Sequence, residues 1–519
     1  MAVQPPSAYA EVCKLLEKTA TLASVGSLVS WDQETYMPPA AGANRAEQLS
    51  LMAGLVHQHK TSPRIGELLA ELEADKALEE RGMSEVAANV REMRRDFDLA
   101  TKLPESLVSE LAKVGSQSQE VWKDARQKSD FAMFAPWLEK MIALQRQKAE
   151  CYGVPNVDGK PGELYDALLD EYEPGMTAAQ IEATFTPLRT QLTDLLKRVQ
   201  ASKTKVNTKI LDIKVSPAQQ HEFGQKVLTA MGFDMNAGRL DTTAHPFCTG
   251  IAPGDTRLTT RYNGDGWNNA LYGTMHEGGH GIYEQGLPKL AHGKRPAMFG
   301  TPLAEAISLG IHESQSRMWE NLVGRSKPFW KWALPQIQKT YGKQFKKFTI
   351  KDVYAAVNTS KPSLIRVDAD ESTYNMHIMI RFELERALMA GTLKVADLPG
   401  EWNKRYQEYL GIKVPDDRRG CLQDVHWSFG LFGYFPTYTL GNLYAAQFWD
   451  KINADLPELP KQIAKGKFLD LRNWLNDNIH RHGKRYRAAE LCKKVTGKEL
   501  SAEPLMRQLT QKAEAVYGI

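Results

Sequence analysis

Apolar residues recur at three- and four-residue steps from Ala8 to about Gln200, with few β-branched runs between them, which predicts a succession of amphipathic helices. One of these shows both its start and its buried stripe. The Thr177 hydroxyl can cap a helix whose third residue, Gln180, completes a capping box, and Ile181, Phe185, Leu188, Leu192, Leu195 and Val199 then fall on one face. Pro187 lies inside that stretch and is expected to kink it. Between about Asp241 and Asn263 the texture changes. Thr, Phe, Ile, Leu and Tyr mix with Pro253 and Gly254, and a short β-hairpin is predicted there as the one convincing strand signal. Helical periodicity then resumes to the C-terminus, interrupted near Gly286 to Gly300 and Gly411 to Gly420, where glycine and proline accumulate. No internal repeat, low-complexity tract or interdomain linker stands out.

Composition narrows the class without naming a function. The 519 residues are 42% apolar and 25% charged, as in ordinary globular proteins, and suffice for two domains or one large helical body. A net charge of +4, from 66 basic and 62 acidic residues, is too small a surplus to imply a nucleic-acid partner. The basic runs Lys343 to Lys347 and His480 to Arg487 read as solvated faces. Five widely spaced cysteines with no C-x-x-C pair fit neither a disulfide framework nor a cysteine zinc site, so a reducing compartment is expected. Met1 to Glu11 lack the pattern of a secretory leader, and no stretch approaches the ~18 apolar residues of a membrane span. A cytosolic location without membrane partners is the resulting expectation.

Chemistry concentrates in His276-Glu277-Gly278-Gly279-His280. On a helix, residues four apart lie one turn above each other, so His276 and His280 can share one ion while Glu277 stands beside it as the base for a metal-activated water. Gly278 and Gly279 each weaken a helix by roughly 1 kcal/mol relative to alanine, which suggests that something packs closely at this level. Catalytic zinc takes three protein ligands and keeps a position for water. The metzincin extension fails, because Tyr283 and Gly286 occupy its diagnostic positions. A glutamate on a later helix remains, with Glu305, Glu313 and Glu320 as candidates. Glu284 is less attractive, since it lies about 12 Å along the axis from His276.

Several separate segments resemble peptidase family M32, the thermostable or Taq-type carboxypeptidases. They are His245-Pro246-Phe247, Asp255 to Thr260 (DTRLTT), the His276 to His280 motif, His312-Glu313-Ser314-Gln315, Ile365 to Asp370 (IRVDAD) and Gly420 to Trp427 (GCLQDVHW). Trp31 to Pro38, Lys102-Leu103-Pro104, Tyr172 to Gly175 and the region of His480 to Tyr486 extend the likeness over nearly the whole chain. The resemblance implies a single family domain over 8–517, with a helical N-terminal half at about 8–240 and a metal-site half at about 241–517. It implies a mainly α, gluzincin-like body with a deep groove and one small β-sheet next to the metal helix. It also implies a homodimer that removes single residues from peptide C-termini, and it selects Glu313 as third metal ligand. The segment between His280 and His312 is longer than in some prokaryotic relatives.

Given that activity, Glu277 is expected to take the water's proton and deliver it to the leaving nitrogen. One divalent ion per subunit is expected, zinc first, although two histidines and a carboxylate also accept cobalt or manganese. A free C-terminal carboxylate calls for a guanidinium, and Arg366 is the first choice; its bland alternative is a helix ion pair with Asp370. Arg257 and Arg261 are weaker candidates that can instead tie the sheet to a helix. His245 and His426 are candidate donors to the oxyanion or else packed histidines, and Gln423 and Asp424 are candidates for orienting ligands. An endo-acting zinc oligopeptidase and a non-catalytic peptide-binding module are the competing readings.

Overall fold

The structure, a computed structural model, describes residues 6–79, 84–157, 159–243, 246–262, 266–293 and 296–519. The candidate His245 therefore lies outside the described residues. Six helices and three strands position the residues of functional interest: α1 (Ser7–Thr35), α2 (Ala178–Ala201), α3 (Pro217–Met231), α4 (Trp267–Gly286), α5 (Leu309–Arg317), α6 (Glu371–Ala390), β1 (Gly238–Thr242), β2 (Cys248–Ala252) and β3 (Asp255–Thr260). Backbone proximity divides the chain into two compact units, each built from three separated stretches. The first comprises Met1–Thr101, Asn207–Val357 and Gln447–Glu499, the second Lys102–Val206, Asn358–Ala446 and Leu500–Ile519.

The first unit contains the predicted hairpin and one strand more. β2 and β3 pair antiparallel around Pro253-Gly254, where Gly254 takes a φ of 78° that suits glycine in a tight turn. β1 lies on the other side of β3, in parallel register from Gly238 opposite Thr256 to Thr242 opposite Thr260. Its alternation is obscured because Asp241 is buried with Leu240, and Asp241 is satisfied by Arg239 and by the Tyr36 hydroxyl. Leu258 of β3 meets α4, so the small sheet stands against the helix that carries His276 and His280, as expected.

Five glycines in α4 make it a poor helix by propensity, and tertiary contact explains four of them, three within the helix and Gly286 at its end against His480. A Cβ on Gly278 would lie 2.5 Å from Leu228 of α3, on Gly281 2.7 Å from Leu258, and on Gly279 2.6 Å from the Gln315 carbonyl oxygen of α5. The helix is thus held on three sides by neighbours too near for a side chain. Ser308 caps α5 by accepting from the Ile311 N–H, and the chain continues directly into a π-helical stretch, Met318–Val323.

In the second unit the capping box at Thr177 forms, with Gln180 N–H donating to the Thr177 hydroxyl and Gln180 Oε1 accepting from Thr177 N–H. All six stripe residues are buried, and α2 continues through Pro187 without a break. α6 is buried nearly all round, the mark of a central helix, and it is capped by Asp370, which accepts from Ser372 N–H and Thr373 N–H. One sequence expectation needs correction. The run His480 to Arg487 is not simply solvated: His480 is fully buried and bonded to Gln315, while Lys484 and Arg487 pair with Glu305 and Glu92. All five cysteines are unpaired. Among the described residues no helix is long and apolar enough to cross a membrane.

Two alanine substitutions in α4 separate packing from propensity. Among the described residues Gly273 has only Thr260 Oγ1 nearby, at 3.8 Å, so Gly273→Ala is expected to stabilise the metal-stripped protein by up to about 1 kcal/mol in urea unfolding. Gly279→Ala forces a methyl against α5 backbone and is expected to cost about 1–3 kcal/mol net; the opposite ranking would contradict this account of the packing.

Candidate metal centre

One helical turn on α4 sets His276 above His280, with ring centroids 4.9 Å apart, and both present Nε2 to α5. Glu313 Oε2 lies 3.6 Å from His276 Nε2 and 3.4 Å from His280 Nε2. One donor atom from each of the three residues lies within 4.8 Å of the other two, a spacing that a single divalent ion can bridge. The other carboxylates weighed from sequence have different partners. Glu320 accepts from His276 Nδ1 at 2.9 Å, on the far side of the same ring, Glu305 pairs with Lys484, and Glu284 pairs with His312 and Lys289. Arg317 Nε donates to Glu313 Oε1 at 2.7 Å, which leaves Oε2 turned toward the histidines, and Ser316 Oγ donates to that same Oε2 at 3.0 Å.

The charge pattern suits a cation. Burial works to lower the His276 pKa, yet Glu313, Glu320 and Glu277 around it raise it to about 9. Glu277 is itself buried, and burial, reinforced by Glu313 and Glu320, lifts its carboxyl to about 7 against the pull of His276. His280 is lowered to about 3 by burial and then by His312, so it stays neutral with a lone pair to give. Glu313, whose burial alone would raise it, is held well below the usual carboxylate range by Arg317, His276 and His280. Glu320 is likewise brought to about 2, against its burial, by Arg317 and His276, and Glu284 to about 2 by His312 and Lys289.

The second unit holds a separate cluster. Asp424 accepts from Arg366 Nε at 2.9 Å and from Arg381 Nε at 2.7 Å, and Gln423 Oε1 accepts from the Arg366 N–H. Arg366 also donates to the Tyr374 hydroxyl and lies over the rings of Tyr438 and Phe435. The alternative pairing of Arg366 with Asp370 does not form, because Asp370 is committed to capping α6. Gln423 and Asp424 thus hold Arg366. His426 packs on Phe435, leaves Nδ1 buried without a hydrogen bond, and is lowered to about 3 by burial and then by Arg366.

Arg257 takes the bland alternative considered for it. It forks onto Asp255 and stacks 4.3 Å from the Trp31 ring, tying the sheet to α1, and Arg261 comes directly after the end of the strand. Sequence reasoning gave no role to Arg317 or Arg381. Arg317 was detectable, being four residues after Glu313 on one helix face. Arg381 was not, since its partner lies 43 residues away.

Comparison with known proteins gives the family of the whole chain. The sequence model of the family described as Carboxypeptidase Taq (M32) metallopeptidase matches residues 11–513. The chain is 45% identical over 517 residues to thermostable carboxypeptidase 1 of Thermus thermophilus, covering 99% of this chain and 100% of that protein. It is 38% identical over 510 residues to carboxypeptidase 1 of Bacillus subtilis, covering 98% of each. The crystal structure of the M32 carboxypeptidase from Deinococcus radiodurans R1 superposes with a TM-score of 0.92 at 38% identity, covering 99% of this chain and 100% of that one. With its histidine pair and glutamate converging on α4 and α5, and with likeness along the full length, the chain belongs to the M32 metallopeptidase family.

Proposed function

We propose that this chain is a metal-dependent carboxypeptidase that removes single residues from peptide C-termini, with His276, His280 and Glu313 as metal ligands and Glu277 as general base. The observation that carries the reading is the convergence of two imidazole nitrogens and one carboxylate oxygen, all from buried or half-buried side chains, on one point. A divalent ion held by His276, His280 and Glu313 would supply Lewis-acid polarisation of a carbonyl and would acidify water. Glu277 then accepts the attacking water's proton and hands it to the departing amide nitrogen. Its elevated pKa fits a group that must both take and return a proton.

Arg366 is the proposed reader of the substrate's terminal carboxylate. Two guanidiniums share the single carboxylate of Asp424, so the cluster keeps a net positive charge in a buried setting; Asp424 and Tyr374 fix the fork's orientation, and Gln423 holds the Arg366 backbone N–H. His426 stays in the proposal as a donor to the developing oxyanion; the engagement of Arg257 with Asp255 and Trp31 favours a structural role for it. Zinc as the resident ion, a cytosolic location and a homodimeric assembly belong to the same reading: the first rests on the donor set of two histidines and a carboxylate, the second on the widely spaced cysteines without a C-x-x-C pair, and the third on the family resemblance.

Mass spectrometry of free-acid peptides is expected to show ladders losing one C-terminal residue at a time, stopped by chelator, while the same peptides as C-terminal amides persist. Internal cleavage of the amides would instead support an endopeptidase. Glu277→Gln is expected to bind metal normally and to lose about 10²–10⁴-fold in kcat, and full turnover in that variant would remove Glu277 from the mechanism. Arg366→Lys should chiefly raise KM for free-acid peptides, because an ammonium cannot fork onto a carboxylate; an unchanged KM would exclude Arg366 as the anchor.

A further inference from the structure

His276 and His280 are oriented in different ways. A glutamate, Glu320, meets His276 Nδ1 directly, whereas His280 Nδ1 meets another imidazole, His312 Nδ1, at 2.5 Å. Two identical ring nitrogens cannot both accept, so one of them carries the proton. The other side of the His312 ring decides which. His312 Nε2 lies 2.9 Å from Glu284 Oε1, and Glu284 is paired through its other oxygen with Lys289, so the carboxylate is an acceptor and His312 Nε2 is the donor. Neutral His312 then offers only a lone pair at Nδ1. His280 must donate from Nδ1, and its own lone pair is left on Nε2, the atom that faces Glu313 Oε2.

Packing keeps this sequence of bonds in one arrangement. The His312 ring lies 4.4 Å from that of His280 and 5.3 Å from that of Tyr283, whose hydroxyl is tied to the Ile307 N–H. On the far side β2 comes up against the ion pair, where a Cβ on Gly250 would lie 2.3 Å from Glu284 Oε2 and 2.7 Å from Lys289 Nζ. Glu284 and Lys289 therefore have no room to swing away on that side.

We propose that His312, Glu284 and Lys289 form a positioning relay that fixes the tautomer and ring orientation of His280 and thereby sets the site's affinity for its ion. The proposal rests on the assignment of His280 as a metal ligand. Partners behind a ligand typically change metal affinity by about 10–100-fold when removed, and a relay of this kind extends that influence from α4 through α5 to the segment after α4.

The test is zinc affinity of the full chain, by competition with a chromophoric chelator, together with the rise in Tm on adding zinc. His312→Phe and Glu284→Leu are expected to weaken zinc binding by about 10–100-fold, with a smaller Tm rise. Glu284→Gln should stay closer to the unmodified protein, since its amide oxygen can accept the same hydrogen bond. Unchanged affinity in both disruptive variants would overturn the relay, as would an equal fall in Tm with and without zinc, the mark of a merely structural role. Should His312→Phe fail to fold, Glu284→Leu decides alone. If the unmodified protein binds no zinc, or binds it equally well as His276→Ala, the ligand assignment fails and the relay with it; tight binding that only His312→Phe and Glu284→Leu leave untouched sinks the relay alone.

Discussion

Backbone-to-backbone approach of α4 and α5 at Gly279 is the constraint on which the site depends. Two imidazoles one turn apart offer two donors; the third must come from another element, and a carboxylate is short. Only where the helices touch without intervening side chains can Glu313 Oε2 come within 3.6 Å of both Nε2 atoms. Gly279 permits that contact against Gln315 and Ser316, and Gly278 and Gly281 let α3 and β3 hold the helix from its other sides. The helix gives up intrinsic propensity at these positions, and interhelical geometry is what it gains.

Charge placement is a consequence of this framework. A buried carboxylate is costly unless paired, and each one near the histidines has a named partner: Arg317 for Glu313, Arg317 and Arg325 for Glu320, Lys289 for Glu284. Glu277 stands apart, with no ion pair among the described residues, and burial accordingly lifts its carboxyl to about 7. The second unit holds a cationic cluster, two buried arginines around one aspartate. On the proposed reading the first cluster would hold a cation, and the second suits an anion.

The candidate site is legible in the sequence where its geometry is local and illegible where it depends on register between elements. His276, Glu277 and His280 can be read from helical spacing, and the paired glycines correctly signalled a close neighbour. The choice among glutamates could not be read from spacing. Glu313 and Glu320 are seven residues apart in one helical run and both reach His276, one at Nε2 and the other at Nδ1, and the two sides of an imidazole carry no sequence signature. Asp424 lies 58 residues from Arg366 and 43 from Arg381, so the local pairing of Arg366 with Asp370 looked equally good until Asp370 proved to be a helix cap. β1 was missed for the same reason, since its parallel partner is found only in three dimensions and its buried Asp241 breaks the alternation.

The central claim is that these three side chains grip one ion. X-ray absorption at the zinc edge, on protein loaded with one equivalent, addresses it directly. The account predicts two imidazole nitrogens at about 2.0–2.1 Å with the remaining donors oxygen. A spectrum with one imidazole or none, or with sulfur in the coordination sphere, would contradict it.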